Sequence, residues 1–300
     1  MRKFLVSICV ASLLSSIAFA HGDNSHFPAQ QDVTVKTAKI AGSVYMLQGR
    51  GGNVGASVGP EGILIVDDDY QQVSVKLSAA LKELGTATPR FVLNTHWHGD
   101  HTQGNLHFGK DSIIVAHANV RKRLSQDNTI FGQVTKAYPA HAWPVITYHR
   151  EMSIHFNGEE IRAVHYPNGH TDGDTVIFFT GSKVAHLGDD FFVGRFPFVD
   201  LDSGGSVQGL IDNIGKLITE IPADWKIIPG HGPISTHDDL KAYHAALVES
   251  SKIVQDAMKQ KKTLEEIKKA GFPEKFATWG SGFIKTDGWI ETIYKSSSIK

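Results

Sequence analysis

The sequence predicts an α/β sandwich, two sheets packed face to face with helices on the outside. Three observations predict it. Short apolar runs of strand length, punctuated by glycine, fill the first third of the chain and return after residue 150. Segments with apolar residues at helical spacing follow each set. Polar stretches rich in His and Asp stand at the ends of the apolar runs, where loops carried on a rigid sheet belong.

The elements follow in order. Arg2 and Lys3 precede an apolar run from Phe4 to Ile17, and Ala18-Phe19-Ala20 is a small-x-small cleavage site. Residues 1–20 therefore read as a secretory signal peptide, and the protein is expected to be secreted, into a periplasm. The run is too short for a comfortable membrane span, so no stable membrane insertion is expected after cleavage. Cys9, the single cysteine, lies inside it. The remaining chain then has no disulfide, no thiolate ligand and no thiol nucleophile. Residues 21–31 are polar, and His21 and His26 read as part of a frayed terminus.

Val33 to Ile40, Val44 to Leu47, Val54 to Val58 and Ile63 to Val66 read as an antiparallel meander. Val73, Leu77, Leu81 and Leu84 mark a helix stopped by Gly85. Phe91 to Leu93 and Ile113 to Ala116 are short buried strands, and a helix follows to Leu124. Residues 125–143 have weak periodicity and read as a loop over a site, with His141 in it. Met152 to Phe156, Ile161 to His165, Thr175 to Phe179 and Val184 to Leu187 form a second strand set. A helix over Val207 to Ile221, a strand over Trp225 to Ile228, and helices over His237 to Lys262, Leu264 to Ala270 and Gly288 to Tyr294 complete the chain. A main domain over residues 21–245 and a helical C-terminal extension over 246–300 are expected.

Composition narrows the function classes. With 41% hydrophobic and 20% charged residues the chain is an ordinary globular one, and its net charge of −1 argues against nucleic acid as a partner. Arg121-Lys122-Arg123 reads as a solvated helix face.

The chemistry is concentrated in Asn94-Thr95-His96-Trp97-His98-Gly99-Asp100-His101, directly after an apolar run. Imidazole nitrogens and a carboxylate are ligands that Zn²⁺ prefers. His96 and His98 are two apart, so they cannot share a helix face and fit a loop at a strand end. Trp97 reads as packing beneath that loop. Three further segments each place a candidate ligand beside glycine at a strand end: Gly169-His170-Thr171-Asp172-Gly173-Asp174, Leu187-Gly188-Asp189-Asp190 and Pro229-Gly230-His231-Gly232. His107, His117, His149, His155, His165, His186, His237 and His244 read as packed or surface residues.

His-x-His-x-Asp-His followed by Gly-His-Thr, Gly-Asp and Pro-Gly-His-Gly, in that order from Val33 to His231, resembles the metallo-β-lactamase superfamily. The resemblance implies an αββα sandwich with a one- or two-metal site at one edge. It implies His96, His98 and His170 as ligands of a first metal, Asp100, His101 and His231 of a second, and Asp189 as the side chain bridging both. Asp67 matches a carboxylate that orients a ligand, although Asp67-Asp68-Asp69 reads equally as a capped, solvated helix start. Arg50-Gly51-Gly52-Asn53 matches a hairpin tip that overhangs the site.

The implied activity is a two-zinc hydrolase acting on a small-molecule carbonyl substrate (a β-lactam, lactone, thioester or related ester or amide). A metal-bridging hydroxide would be the nucleophile and Asp100 would orient it. Spacing and secretion resemble the class B β-lactamases. Asp189, where their largest subclass has cysteine, and Phe192, where they carry a lysine, depart from them. The aspartate bridge is more similar to glyoxalase II-type thioesterases and lactonases. A mononuclear iron oxidoreductase of the persulfide dioxygenase kind and an accessory metal-binding protein without turnover stay open as alternatives. The C-terminal aromatic residues Phe272, Phe276, Trp279, Phe283, Trp289 and Tyr294 read chiefly as packing the last helices, with a pocket wall as the other reading.

Overall fold

A computed structural model describes residues 33–298; the signal-peptide segment and Cys9 lie outside the described residues. The first sheet opens as the meander β1 (Lys36–Ala41), β2 (Val44–Gln48), β3 (Val54–Gly59) and β4 (Gly62–Val66), each pair antiparallel. Helix α1 (Ser74–Leu84) crosses over to β5 (Phe91–Asn94), which pairs parallel to β4. The short helices α2 (Gly99–Thr102) and α3 (Asn105–Phe108) lead into β6 (Ile113–His117). Then come α4 (Ala118–Leu124), the hairpin β7 (Asn128–Ile130) and β8 (Gln133–Thr135), and the edge strand β9 (Ile146–Tyr148). The sheet order is β1-β2-β3-β4-β5-β6-β9.

The second sheet contains β10 (Glu151–Phe156), β11 (Glu159–His165), β12 (Thr175–Phe179) and β13 (Val184–His186), paired antiparallel in that order. Helix α5 (Val207–Glu220) crosses over to β14 (Lys226–Ile228), which lies parallel to β13 at the far edge. Helices α6 (His237–Lys259), α7 (Leu264–Ala270) and α8 (Thr286–Ser298) follow. Among the described residues no helix is long and apolar enough to cross a membrane.

Side-chain alternation along the strands builds the layers. In β4, Leu64 and Val66 point inward, where they meet Ile161, Ile177, Phe179 and Ile228 of the other sheet. Ile63 and Ile65 point outward onto Leu77 and Leu81 of α1. The outer face of the second sheet, with Val176, Phe178 and Ala185, packs on α5 through Leu210, Ile214 and Leu217. Helix, sheet, sheet, helix is the αββα arrangement expected. Helix α6 continues without a break across residues 245 and 246, and Trp289, Ile290 and Ile293 of α8 enter the core that α5 and α6 share.

Local chemistry sets the boundaries. Thr236 with Asp239, and Thr263 with Glu266, form reciprocal capping boxes at the starts of α6 and α7. The expected loop over residues 125–143 instead contains the β7–β8 hairpin and a 3-10 turn over Ala140–Ala142. These three-residue strands are largely exposed and lack the buried apolar run that marks the equally short β13 and β14 in the sequence. β9 was missed for the same reason.

Two expectations about charged residues are corrected. Arg121 and Arg123 are not merely solvated. Arg123 holds Asp172 with two bonds of 2.8 and 2.7 Å, and Arg121 donates to the Pro144 carbonyl. Nor do the three aspartates start α1. That helix begins at Ser74 after a 3-10 turn, with no side-chain cap. Asp67 and Asp69 have positive φ (61° and 60°), which turns the chain sharply at the end of β4.

Candidate metal centre

The loops after β5, before β12, after β13 and after β14 all open at one edge of the sandwich, and each delivers ligand-type side chains there. Two groups result. His96, His98, His170 and Asp189 have one ligand atom each within 4.8 Å of one another, and so do Asp100, His101 and His231. All seven residues singled out in the sequence therefore fall in these two clusters.

Asp189 joins them. Its Oδ2 lies 3.5 Å from His170 Nε2 and 3.9 Å from His96 Nε2. Its Oδ1 lies 3.1 Å from His101 Nε2 and 3.4 Å from His231 Nε2. One carboxylate oxygen thus faces each cluster. Asp190 does not share this position; it is buried beside Gly169 and Asn213.

The donor atoms fit cations. A tetrahedral ion with bonds of about 2.0–2.1 Å separates its ligand atoms by about 3.3 Å. In the second cluster the separations are 3.2 Å (His231 Nε2 to Asp100 Oδ2), 3.4 Å (His101 Nε2 to His231 Nε2) and 3.6 Å (His101 Nε2 to Asp100 Oδ2). In the first, His98 Nδ1 and His170 Nε2 approach to 2.8 Å. The buried Nε2 of His96 has no hydrogen-bond partner. A buried imidazole nitrogen left without a partner is costly unless something outside the side-chain set uses its lone pair.

Four of the five rings, those of His96, His98, His101 and His170, are fixed from behind, which decides which nitrogen each presents. His101 Nδ1 is 2.7 Å from Asp67 Oδ2, and the same carboxylate accepts from Thr95 N and Oγ1. Asp67 is therefore a ring-orienting carboxylate. His170 Nδ1 donates to the Phe198 carbonyl at 2.6 Å, and His96 Nδ1 contacts Thr95 Oγ1 at 3.0 Å. His98 is the exception in handedness: its Nε2 meets Asp200 Oδ2 at 3.0 Å, so its Nδ1 turns to the site. Asp200 was not identified from sequence. The only signal was a carboxylate closing the apolar run from Phe196 to Val199, a position where burial demands a partner.

The two clusters differ electrostatically. Burial, reinforced by the neighbouring rings, pushes His96 well below the usual imidazole range and His170 down to about 4. In the second cluster burial acts the same way on the rings but is outweighed. Asp189 and Asp100 raise His101 well above its ordinary value and His231 to about 9. Burial pushes Asp100 up, yet His101 and His231 overcome it and hold the carboxyl at about 2. Asp189 is likewise kept ionised against its burial by His101 and His231.

Access is one-sided. Asp100 and His231 retain 21% and 24% of their side-chain exposure, whereas the other five ligand-type side chains are buried. The Arg50–Asn53 loop lies against this open side. Gly52 N donates to the Asp100 carbonyl and Asn53 N to the Gly230 carbonyl, while Asp69 accepts from Arg50 N and Gly51 N. A Cβ on Gly52 would stand 2.1 Å from the His101 ring, and one on Gly230 would stand 2.1 Å from Asp189 Oδ1. Only glycine permits these approaches. Trp97 is buried with Ala116, Val120 and Leu124 beneath the ligand loop. His141 is turned onto the Leu106 carbonyl.

The sequence profile of the metallo-beta-lactamase superfamily matches residues 61–231. Among solved structures, DIM-1 metallo-beta-lactamase is similar, with a TM-score of 0.60 at 17% identity over 73% of this chain and 100% of that one. A metallo-beta-lactamase from Pontibacter korlensis gives 0.58 at 15% over 71% and 99%. A double mutant of the sec-alkyl sulfatase PisA1 gives 0.66 at 14% over 88% of this chain but 50% of that one. At these identities the likeness establishes a common fold. Taken with the profile match, which spans more than half of the sequence and all seven ligand-type residues, it means that the chain belongs to the metallo-beta-lactamase superfamily.

Proposed function

We propose that this protein is a secreted, dinuclear zinc hydrolase of a small carbonyl substrate, an ester, thioester, lactone or amide. The observation that carries the reading is the Asp189 carboxylate, which presents one oxygen to each of the two clusters. His96, His98 and His170 would hold one ion, Asp100, His101 and His231 the other, with Asp189 between. When bound, the ions supply Lewis acidity and bring the pKa of a water down toward neutrality.

The chain's own residues supply position. Asp67, Asp200 and the Phe198 carbonyl lock three of the rings in the required tautomer. The exposed side at Asp100 and His231 is where a substrate carbonyl enters. Asp100, ionised there, is placed to accept a hydrogen bond from the attacking water and align it. Among the described residues no lysine has a bond to this cluster; Phe192 stacks on His231 with centroids 5.3 Å apart. A carboxylate-bearing β-lactam therefore finds no ammonium at that position, which favours uncharged esters and thioesters.

Metal analysis of the purified protein, with turnover of β-lactam, lactone, thioester, carboxylic ester and alkyl sulfate substrates, tests the reading. Two zinc ions per chain and chelator-sensitive hydrolysis of a carbonyl substrate are expected. One iron per chain, or no turnover on any member, would overturn it. The alkyl sulfate is included because the sulfatase fold covers more of this chain than the lactamase folds do.

A further inference from the structure

We infer that an apolar subsite beside the first cluster, built by Phe198, Phe131 and Phe283, takes a straight-chain acyl tail of the substrate. This rests on the hydrolase reading and adds a substrate class to it.

Phe198 is the inner end. Its ring lies 5.5 Å from that of His98 and 5.8 Å from that of His170, and its carbonyl holds His170 Nδ1. Phe131 tilts against Phe198 at 4.5 Å, and Phe283 meets Phe131 edge-on at 5.7 Å. The three rings come from separate places, the loop after β13, the β7–β8 hairpin and the segment before α8. They form a continuous path from the ligand rings to the surface. Phe131 is 60% exposed and Phe283 74%. The other C-terminal aromatics behave differently: Phe272, Phe276, Trp279 and Trp289 close around Phe196. Phe283 alone of that set turns outward to Phe131.

The hairpin gives a second argument. Ile130 pairs with Gln133, leaving Phe131 and Gly132 as a two-residue loop, both with positive φ (51° and 73°). Such turns favour Asn or Gly at the first position. A bulky aromatic there is poor for the turn, and it leaves a large ring in water. Both costs are offset if the ring has an apolar occupant. Continuity with the ligand rings makes that occupant part of whatever reacts at the metals.

The test is calorimetric binding of acetate, butyrate, hexanoate and octanoate to the zinc-supplemented protein. Octanoate is expected to bind at least roughly 30-fold more tightly than acetate. In a Phe131→Ser/Phe283→Ser variant the ratio is expected to fall below about 5-fold. Phe131→Leu/Phe283→Leu, which restores apolar area, should recover most of it. Unchanged melting temperatures establish that the variants are folded, as the exposure of both rings leads one to expect. A flat series in the native protein, or a ratio that survives in the serine variant, overturns the subsite. A failure of the hydrolase reading shows separately, as absence of turnover across the substrate panel, because the binding ratio does not depend on turnover.

Discussion

Asp200 Oδ2 sits 3.0 Å from His98 Nε2, and this contact turns the Nδ1 of that ring to within 2.8 Å of His170 Nε2. Burial raises the Asp200 carboxyl, but its bond to His98 overcomes this and keeps it below its ordinary value. It is therefore an anion set behind a ring of the first cluster. Asp200→Asn should lower affinity at the first cluster by roughly 10- to 100-fold, the usual effect of losing such a partner. Competition against a chromophoric zinc chelator measures it. Unchanged affinity would mean that the ring is positioned by packing alone.

Gly230→Ala should be far more damaging than its size suggests. The new methyl would lie 2.1 Å from Asp189 Oδ1 and 2.5 Å from the Gly188 carbonyl. The Asp189 carboxylate must move, so under the two-metal reading proposed above metal content should drop below two ions and turnover by at least about 100-fold, with far-ultraviolet circular dichroism unchanged. Gly271→Ala is the contrast. It has open space around it but a φ of 63° and a ψ of −164°, a region essentially only glycine enters, and should cost about 1–3 kcal/mol of stability without touching turnover.

Chelation should destabilise the fold. Without cations, Asp100 and Asp189 depend on His101 and His231 for compensation, and His96 Nε2 has no hydrogen-bond partner. Zinc at 100 times its dissociation constant contributes about 2.7 kcal/mol per site. Melting should rise by roughly 5–10 °C between chelator and excess zinc. An unaltered melting temperature would argue against a buried site.

His117 predicts acid sensitivity away from the metals. Its ring stacks on His165 at 3.8 Å, Nε2 donates to the His149 carbonyl and Nδ1 accepts from Asn119 N. The neutral ring satisfies both contacts. Burial, then the His165 ring, lowers its pKa to about 4; the His149 carbonyl and Asp172 act the other way, and the His149 ring adds to the lowering. Between about 6.5 and 4 the unfolded chain binds a proton that the folded chain refuses. This contribution is intact above about 6.5 and is lost as pH falls toward 4, by about 2 kcal/mol. Urea unfolding at pH 7.5 and 4.5 should show a smaller loss for His117→Phe than for the native chain.

The members of the two His/Asp clusters were legible in linear order because their chemistry is local. His96, His98, Asp100 and His101 follow one strand directly, and His170, Asp189 and His231 each stand beside a glycine at a strand end. The sandwich was legible because inward and outward positions alternate, as along Ile63 to Val66. The three-residue strands β7, β8 and β9 were not, because they are largely exposed and lack the buried apolar run that marks the equally short β13 and β14. Asp67 was ambiguous in sequence, since three consecutive aspartates serve equally to start a helix. Only the fold, which sets it 2.7 Å from His101, decided. Asp200 and the Phe131–Phe198–Phe283 path are tertiary in origin: they join residues up to 152 positions apart, and no spacing rule reaches that far. Residue type determines which groups can ligate a cation; which nitrogen each ring offers, and which face stays open, is determined by what packs behind it.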